Sequence, residues 1–405
     1  MHYLKSNKHL MKRSLLIVIG IVLVTIFIFD RTPNKSFRPI GDNCDLRTYC
    51  GSVEQGDGVS LAFVEFDDQG QYYDQRQSFQ ALRLVRDAVN SGGSAVDVFV
   101  FVHGWHHNAS VSDSNVKQFR DFLVLRRQYA AHKAVGVYIG WPGETLRFPL
   151  KYLTFWSRKA AAHRIASGSV QEFFASLQQI KLDQGRSDRT PSSVPKIVPK
   201  IFVIGHSFGG LVAFQANSQS FALRYGEAAF ENRGGPSAPG LGDLVVLINP
   251  AIEAARFSSL HSLWSEYPND PFYSPVMVTV ASRTDWSTRF LFPLGVLSGT
   301  LITNQLRPGE WSDALHTVGN AESYLTHNAF VDARGSVVIC ERPQELSLRK
   351  APFWFVSADS AIIDGHSDFN AKKLLALFDT IQRDVGAKTP GGLPSCASLG
   401  LPKFG

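Results

Sequence analysis

The residues with the clearest chemical potential are a serine and the glycines on either side of it. Residues 205–210 read Gly-His-Ser-Phe-Gly-Gly and directly follow the apolar run 201–204. A serine held in a sharp strand-to-helix turn is strained, and glycines two residues before and after it give the turn room. The helix that follows would direct its amide dipoles at an oxyanion. The pattern predicts Ser207 as a nucleophile that attacks a carbonyl group; the alternative is a glycine-rich structural turn.

A nucleophilic serine needs a histidine base and a carboxylate that orients the base, and residues 276–288 (VMVTVASRTDWST) offer a candidate carboxylate. In a protein with this kind of serine turn, the three residues follow in the order serine, acid, histidine. Asp285 comes shortly after the apolar run 276–281, where the end of a strand would present it. We therefore predict Asp285 as the orienting acid. A surface turn or an ion pair with Arg283 is the alternative.

The histidines after the predicted acid are the candidates for the base. They are His316, His327 and His366. His366 lies in SADSAIIDGHSDF, between the last predicted strand and the last predicted helix, where a loop could carry its imidazole back to the serine. The other two lie in a long insertion. We predict His366 as the general base, which takes the serine proton and later protonates the leaving group. Asp364 and Asp368 are alternative acids beside it.

A second motif lies upstream, where residues 97–108 read DVFVFVHGWHHN, an apolar strand that ends in His-Gly-Trp. With this loop and the serine motif, the chain resembles the α/β-hydrolase superfamily, and within it serine hydrolases of the bacterial esterase or lipase kind. The resemblance spans about residues 59–386 and includes Asn-Pro-Ala at 249–251. In that superfamily this loop and the residue after the nucleophile donate backbone N–H groups to the oxyanion. The resemblance therefore implies Trp105 and Phe208 as the two donors.

The resemblance also implies a reaction, hydrolysis of a carboxylic ester through an acyl-enzyme on Ser207. The substrate would be a small or amphiphilic acyl compound, and no metal or organic cofactor is needed. Amidases, thioesterases and acyltransferases use the same three residues, and a non-catalytic binding module with this fold is a further alternative. His103, His106 and His107 could hold a metal ion, but no Cys or carboxylate motif completes such a site. A structural role for His103 is the simpler interpretation.

The elements that must position these residues alternate along the chain, which predicts an α/β-hydrolase fold: a mostly parallel central sheet with helices on both faces. The predicted strands are 59–66, 96–102, 135–141, 200–204, 244–248, 276–281 and 353–356. The predicted helices are 76–90, 115–131, 157–183, 208–224 and 368–385. Two stretches, 145–198 and 286–350, are longer than the alternation needs. Because long insertions in such folds usually lie over the site, we expect lid-like segments there.

The N-terminal region differs from the rest of the chain. Residues 14–29 (SLLIVIGIVLVTIFIF) carry no charge, and Lys12, Arg13 and Arg31 flank them. A helix of this length spans about 24 Å, slightly less than the hydrocarbon core of about 30 Å. We predict a single-pass membrane anchor. We place the catalytic domain outside the cytoplasm, in the periplasm, which is the default orientation for a signal anchor. A cleaved signal peptide or a buried core helix is the alternative.

This interpretation gives a simple segment order. The expected segments are a basic N-terminus (1–13), the anchor (14–29), a polar linker (30–57), the α/β-hydrolase domain (58–390) and a C-terminal tail (391–405). Residues 1–38 contain seven Lys or Arg and one acidic residue, so they account for the net charge of +6 and the remainder is balanced. A nucleic-acid-binding domain would be basic in its folded part, and we therefore expect no nucleic-acid partner.

The cysteine positions leave the redox state open. The cysteines are Cys44, Cys50, Cys340 and Cys396. Four cysteines allow three pairings. A disulfide between the first two would staple the segment after the anchor and suit an oxidising compartment. Four unpaired structural thiols fit the sequence almost as well.

Overall fold

A sheet of 11 strands forms the centre of the described part of the chain in the computed structural model. The structure describes residues 34–41, 44–45, 51–56, 58–130, 132–146, 154–186, 197–231, 242–266, 275–293, 296, 310–343, 352–367, 370–386 and 393–399, together with 14, 16–18, 20 and 21. The strands are β1 (Cys44–Asp45), β2 (Val53–Gly56), β3 (Val59–Glu65), β4 (Val96–Val102), β5 (Lys133–Gly140), β6 (Lys200–His206), β7 (Leu244–Ile248), β8 (Met277–Ser282), β9 (His327–Val331), β10 (Val337–Glu341) and β11 (Phe353–Ala358).

The strand order is β1-β2-β3-β5-β4-β6-β7-β8-β11-β9-β10. All pairs from β3 to β9 in this order are parallel. The pairs β2–β3 and β9–β10 are antiparallel. The predicted mostly parallel sheet is therefore confirmed, and its seven predicted strands correspond to β3 to β8 and β11.

Helices cover both faces of this sheet, as the alternating sequence pattern predicts. The helices are α1 (Gln75–Asn90), α2 (Ser114–Tyr129), α3 (Phe155–Ala166), α4 (Ser169–Arg186), α5 (Phe208–Glu231), α6 (Ser258–Glu266), α7 (Glu310–Leu315) and α8 (Ala371–Gly386). In β4, Val98 and Val100 pack into a core with α1, α3, α4 and α5. Phe99 and Phe101 point to the other face and pack with α2 and α8. Burial on both faces explains why β4 is apolar throughout.

Helix α1 illustrates how the sequence sets an element and its orientation. Asp74 caps its N-terminus, where the side chain accepts the N–H of Arg76 at 2.9 Å. Leu82, Val85 and Val89 recur at helical spacing and are buried against the sheet. Capping satisfies an amide that has no partner inside the helix, and the apolar stripe fixes the buried face.

Residues 30–57, expected as a polar linker, contribute β1 and β2 to the sheet. Arg38 in this range is buried, pairs with Glu54 at 2.8 Å and stacks over the ring of Phe63 at 3.8 Å. Glu54 also pairs with Arg120 of α2 at 3.0 Å. Buried charges of this kind are stable only when every partner is in place. The folded domain therefore includes Arg38 and does not begin at the expected boundary of 58.

The long insertions also differ in part from the expected lids. Within 286–350, β9 and β10 form an antiparallel pair that extends the sheet beyond β11. Cys340 of β10 forms a disulfide with Cys396, so these two cysteines are not unpaired thiols. Cys50 lies outside the described residues. Within 145–198, the expected single helix is divided into α3 and α4. Residues 147–153, 187–196, 297–309 and 344–350 lie outside the described residues.

The predicted membrane anchor lies mostly outside the described residues. Among the residues that were described, no helix has both the length and the apolar character needed to cross a bilayer. Residues 1–13 are not described, and within 14–29 only a few positions are. The anchor and the location of the domain outside the cytoplasm therefore stay predictions.

Candidate active site

Ser207 occupies the turn between β6 and α5. Its φ is +55°, in the left-handed region that residues other than glycine rarely adopt. Its N–H donates to the carbonyl of Ile248 at the end of β7 (3.0 Å), and its carbonyl accepts the N–H of Ala251 (3.1 Å). The neighbouring strand end thus holds the strained turn. In the described residues, the other non-glycine residues with positive φ are His106 and Asn249, which lie in the adjoining loops.

The glycines around Ser207 are required by close contacts. A Cβ on Gly205 would lie 2.7 Å from the carbonyl oxygen of Gly209, and a Cβ on Gly209 would overlap the carbonyl oxygen of Val102. This confirms that both glycines give the turn room. A Cβ on Gly104 would lie 2.7 Å from the Cβ of Ser207. The His-Gly-Trp loop after β4 therefore lies directly against the serine.

The structure brings the three predicted side chains together. The Ser207 hydroxyl donates to Nε2 of His366 (2.8 Å), and Nδ1–H of His366 donates to Oδ2 of Asp285 (2.7 Å). Ser207 follows β6, Asp285 follows β8 and His366 follows β11. These strands lie in the order β6-β7-β8-β11 and run parallel, so their carboxyl ends share one edge of the sheet. That geometry lets residues distant in sequence form one chain of hydrogen bonds.

Asp285 is completely buried and fully hydrogen bonded. Its Oδ1 accepts the N–H groups of Ser287 (2.9 Å) and Thr288 (3.2 Å), and its Oδ2 also accepts the Thr288 hydroxyl (2.6 Å). Burial raises the pKa of the carboxyl group, but the hydrogen bond and charge of His366 and the bonds from Thr288 outweigh it and lower the pKa below its usual value. Arg283, the alternative partner, donates to side chains of β11 and β9 instead.

The alternative bases and acids lie elsewhere. His316 is exposed, and its ring bonds to a backbone carbonyl of its own helix. His327 is buried in β9, with its ring 4.4 Å from that of Trp354. Of the three candidate histidines, His366 alone contacts Ser207 in the described part of the chain.

The alternative acids do not replace Asp285. Asp364 is exposed and accepts a threonine hydroxyl at 2.9 Å, and Asp368 lies outside the described residues.

The two predicted oxyanion donors lie next to the nucleophile. Phe208 is the first residue of α5, so its N–H has no acceptor within the helix. Trp105 follows Gly104, which contacts Ser207, and its ring centroid lies 6.1 Å from that of Phe208. The contribution of these two amides to an oxyanion hole stays a prediction.

The histidines of the HGWHH segment have structural partners. His103 is buried, donates from Nδ1 to the Gly104 carbonyl (2.9 Å) and accepts the Trp141 N–H at Nε2 (2.9 Å). Burial lowers the pKa of His103 to about 4, so the ring is neutral and both nitrogens are used. His107 bonds to Asp113 at 3.1 Å. Across the residues that the structure describes, no group of three His, Cys, Asp or Glu side chains could hold a metal ion.

Two residues to which the sequence assigns no role contact the main chain at His366. Nε2–H of His206 donates to the His366 carbonyl at 2.8 Å. The side-chain amide of Asn249 donates to the carbonyls of Gly365 (3.1 Å) and His366 (3.0 Å). Both are polar residues at the end of buried strands. That position was the feature of the sequence from which a role at the site could have been suspected.

The buried histidines make the fold sensitive to acid. Burial lowers the pKa of His103 to about 4 and the pKa values of His206 and His327 to about 3. An unfolded histidine titrates near about 6.5. Between these values the unfolded state binds protons that the folded state does not, so stability falls as the pH decreases below about 6.5. Each histidine contributes up to about 1.4 kcal/mol per pH unit.

Thermal unfolding at pH 7.5 and at pH 5.0 will measure this effect. We expect a lower Tm at pH 5.0, and the drop should be smaller in His327→Phe, which removes one of the histidines whose pKa is lowered by burial. His327 suits this test because its ring packs on Trp354 and, among the described residues, Nε2 has no hydrogen-bond partner, so that phenylalanine would lose one hydrogen bond, that of Nδ1 with the Thr326 hydroxyl (2.7 Å). An equal drop in both proteins would contradict the explanation.

A family model matches most of the chain. The model of a family described as "Alpha/beta hydrolase family" matches residues 99–369. A comparison with curated protein sequences found no match. Among solved structures, a tributyrin phosphonate-inhibited esterase B from Lactobacillus rhamnosis is 17% identical, with 56% of this chain and 70% of that chain covered and a TM-score of 0.22. An uncharacterised protein from Pseudomonas aeruginosa is 10% identical, with 55% and 41% covered and a TM-score of 0.24.

The family assignment rests on the family model, which covers most of the strand before the His-Gly-Trp loop, the serine turn and the loop of His366. The chain belongs to the alpha/beta hydrolase family.

Proposed function

We propose that the protein is a serine hydrolase that cleaves carboxylic esters, or closely related acyl compounds, through an acyl-enzyme on Ser207. One observation carries the proposal. A continuous chain of hydrogen bonds runs from the buried carboxylate of Asp285 through His366 to the hydroxyl of Ser207. Nucleophile, base and orienting acid are thereby in hydrogen-bond reach in the order that acyl transfer requires.

In the proposed mechanism, Nε2 of His366 takes the hydroxyl proton as Oγ of Ser207 bonds to the carbonyl carbon. The tetrahedral intermediate then breaks its bond to the leaving oxygen, and the imidazolium returns the proton to that oxygen. Water attacks the acyl-enzyme with the same help and releases the acid. Asp285 keeps the proton on Nδ1 and stabilises the imidazolium, which its low pKa permits because the carboxylate stays ionised.

The charge on the intermediate needs donors at the nucleophile. We assign this role to the backbone N–H groups of Trp105 and Phe208, with the N-terminus of α5 adding a favourable dipole. Each such donor is worth about 3 kcal/mol of transition-state stabilisation. The close approach of Gly104 to Ser207 supports the assignment because it brings the loop of Trp105 to the reacting atoms.

Aromatic side chains beside the nucleophile favour an apolar acyl group. The ring of Phe155 lies 5.3 Å from that of Phe208 and 5.6 Å from that of Trp105, measured between centroids. Phe292 adds a fourth ring, 6.2 Å from Phe155. Phe208 and Phe292 are buried, and the partly exposed rings of Phe155 and Trp105 cover them beside Ser207. The two partly exposed rings suit a hydrocarbon chain better than a charged or sugar group.

Phe155→Ala is expected to shift the preference toward longer acyl chains, because it removes the ring at the centre of this cluster. The ratio of kcat/KM for octanoyl over butyryl p-nitrophenyl esters should rise about tenfold. Trp156→Ala is the matched control, since Trp156 is 42% exposed and touches Phe155 but not the residues at the nucleophile. Equal ratios in wild type and Phe155→Ala would contradict this acyl site.

The central proposal is tested by labelling the purified protein with a fluorophosphonate and locating the adduct by mass spectrometry. We expect one adduct, on the peptide that contains Ser207, and turnover of p-nitrophenyl butyrate. An unmodified protein without turnover would instead support the non-catalytic binding module. Parallel assays with the butyryl thioester and the butyryl anilide, with and without an acceptor alcohol, separate esterase from thioesterase, amidase and acyltransferase activity.

A further inference from the structure

Asn249 combines backbone strain with complete burial at the active-site edge of the sheet. It directly follows β7, has φ of +42° and is 0% exposed. A non-glycine residue in this region is strained, and such strain persists only where the surroundings impose it. Asparagine tolerates the conformation better than most residues, so the strain alone does not identify a role. The contacts of the side chain do.

The Asn249 amide joins three segments. Its NH2 group donates to the carbonyls of Gly365 (3.1 Å) and His366 (3.0 Å). Its oxygen accepts the N–H of Ser282 at the end of β8 (2.7 Å), while its own backbone N–H donates to Val280 (2.8 Å). The amide thereby links the ends of β7 and β8 to the loop that carries the imidazole.

His206 also donates to the carbonyl of His366. Its Nε2–H donates to the His366 carbonyl at 2.8 Å, and burial lowers its pKa to about 3, so the ring stays neutral across the working pH range. The carbonyl of His366 thus accepts bonds from the residue before Ser207 and from the residue after β7. Since β6 and β7 also hold the serine turn, nucleophile and imidazole are located relative to the same two strand ends.

We propose that Asn249 is a positioning residue that fixes the main chain of Gly365 and His366, so that Nε2 of His366 stays in reach of Ser207. This inference rests on the proposed function. Gly365 has φ of +69°. Its N–H donates to the Thr284 hydroxyl at 2.8 Å, and the Ser282 hydroxyl donates to the Ile363 carbonyl at 2.7 Å. These bonds hold the start of the loop, while those from Asn249 and His206 hold the carbonyl of His366 itself. A displacement of the imidazole by about 1 Å costs about 100-fold in rate, which gives these hydrogen bonds a catalytic effect.

Asn249→Asp is the sharpest test because the side chain keeps its shape. A carboxylate oxygen would replace the NH2 group and face two carbonyl oxygens that now lie 3.1 and 3.0 Å away. We expect kcat for p-nitrophenyl butyrate to fall about 100-fold, with KM nearly unchanged. Asn217→Asp is the matched control. Asn217 is also 0% exposed and also donates its NH2 group to a backbone carbonyl, that of Ala213 within α5. It should lower Tm and leave kcat within about twofold.

Asn249→Gly separates positioning from folding. Glycine adopts the positive φ without strain, so this variant should stay folded even if Asn249→Asp does not. It still lacks both donors, and kcat should fall about tenfold. The low-field proton resonance of His366 Nδ1–H, which reports the bond to Asp285, should broaden or shift in both variants and not in Asn217→Asp.

These experiments distinguish failure of the positioning role from failure of the proposed function. If the wild-type protein takes no fluorophosphonate on Ser207 and hydrolyses no ester, the function is wrong. If the wild type is labelled and active, but Asn249→Gly keeps the kcat and the low-field resonance of Asn217→Asp, the positioning role is wrong and the function stands.

Discussion

Replacing His366 with alanine is expected to lower kcat/KM for ester hydrolysis by about 10⁶-fold. Nε2 of His366 accepts the Ser207 hydroxyl at 2.8 Å, and the variant leaves that proton without a base. Ser207 and Asp285 act as a unit with the histidine, so the loss of activity should approach that caused by removing all three side chains. Binding and oxyanion stabilisation would account for the residual rate. The measurement is the initial rate with p-nitrophenyl butyrate, at enzyme concentrations high enough to detect slow turnover.

His316→Ala is the control for this experiment. His316 also follows the acid in sequence, but it is exposed and its ring bonds to the Ser312 carbonyl. We expect its kcat/KM to remain within about twofold of wild type. A loss of less than about 100-fold in His366→Ala, in a protein that unfolds at the wild-type temperature, would remove His366 as the base.

Asp285→Asn is expected to lower kcat by about 10⁴-fold with the fold intact. Oδ1 of Asp285 accepts two backbone N–H groups, so the asparagine oxygen will take that place. The NH2 group must then occupy the position of Oδ2 and face Nδ1 of His366. Since an NH2 group only donates, Nδ1 has to accept and the ring proton moves to Nε2. In that tautomer Nε2 cannot take the proton of Ser207.

The control for the acid is Asp364→Asn. Asp364 lies close to His366 in sequence, but it is exposed and contacts a threonine hydroxyl. Its kcat should change by less than about threefold. If Asp364→Asn instead lost more activity than Asp285→Asn, the assignment of the orienting acid would have to be reversed. Fluorophosphonate labelling should be slowed in Asp285→Asn and unaffected in Asp364→Asn.

The parts of the site that could be predicted are those set by local pattern and chain order. Ser207 lies in a strand, turn and helix that are contiguous in sequence. Gly205 is required by a contact inside that turn, and Gly209 by the backbone at the end of β4. Asp285 and His366 could be placed because each follows an apolar strand of a parallel sheet, and parallel strands present their carboxyl ends at one edge. Topology then brings them together without any further signal.

Contacts between distant loops could not be predicted in this way. Asn249 and His206 donate to the main-chain carbonyl of His366 across more than a hundred residues of sequence. Every residue type has such a carbonyl, so the sequence of the loop does not indicate these contacts. The break between α3 and α4 has the same origin. A Cβ on Gly168 would overlap the backbone of Gly70, so the helix stops where another loop presses against it. Helical periodicity continues through such a point and does not reveal it.

The start of the domain differs from the prediction for another reason. Arg38, Glu54 and Arg120 are charged, and charged residues in a sequence usually indicate a solvated segment. Here they form a buried cluster, with both side chains of the Arg38–Glu54 pair completely inaccessible. Composition cannot distinguish such a cluster from a linker, because burial depends on partners that arrive from another part of the chain.

The disulfide between Cys340 and Cys396 has a consequence for the behaviour of the protein at high concentration. β10 is the last strand of the sheet, and the C-terminal segment lies along its outer side. The N–H of Glu341 donates to the Pro394 carbonyl (3.0 Å), and the N–H of Cys396 donates to the Glu341 carbonyl (2.9 Å). These bonds occupy the outward polar groups of Glu341 at the end of β10, and such groups on an open sheet margin can recruit strands from other molecules. A chain that ends before residue 393 would expose them and become more prone to aggregate.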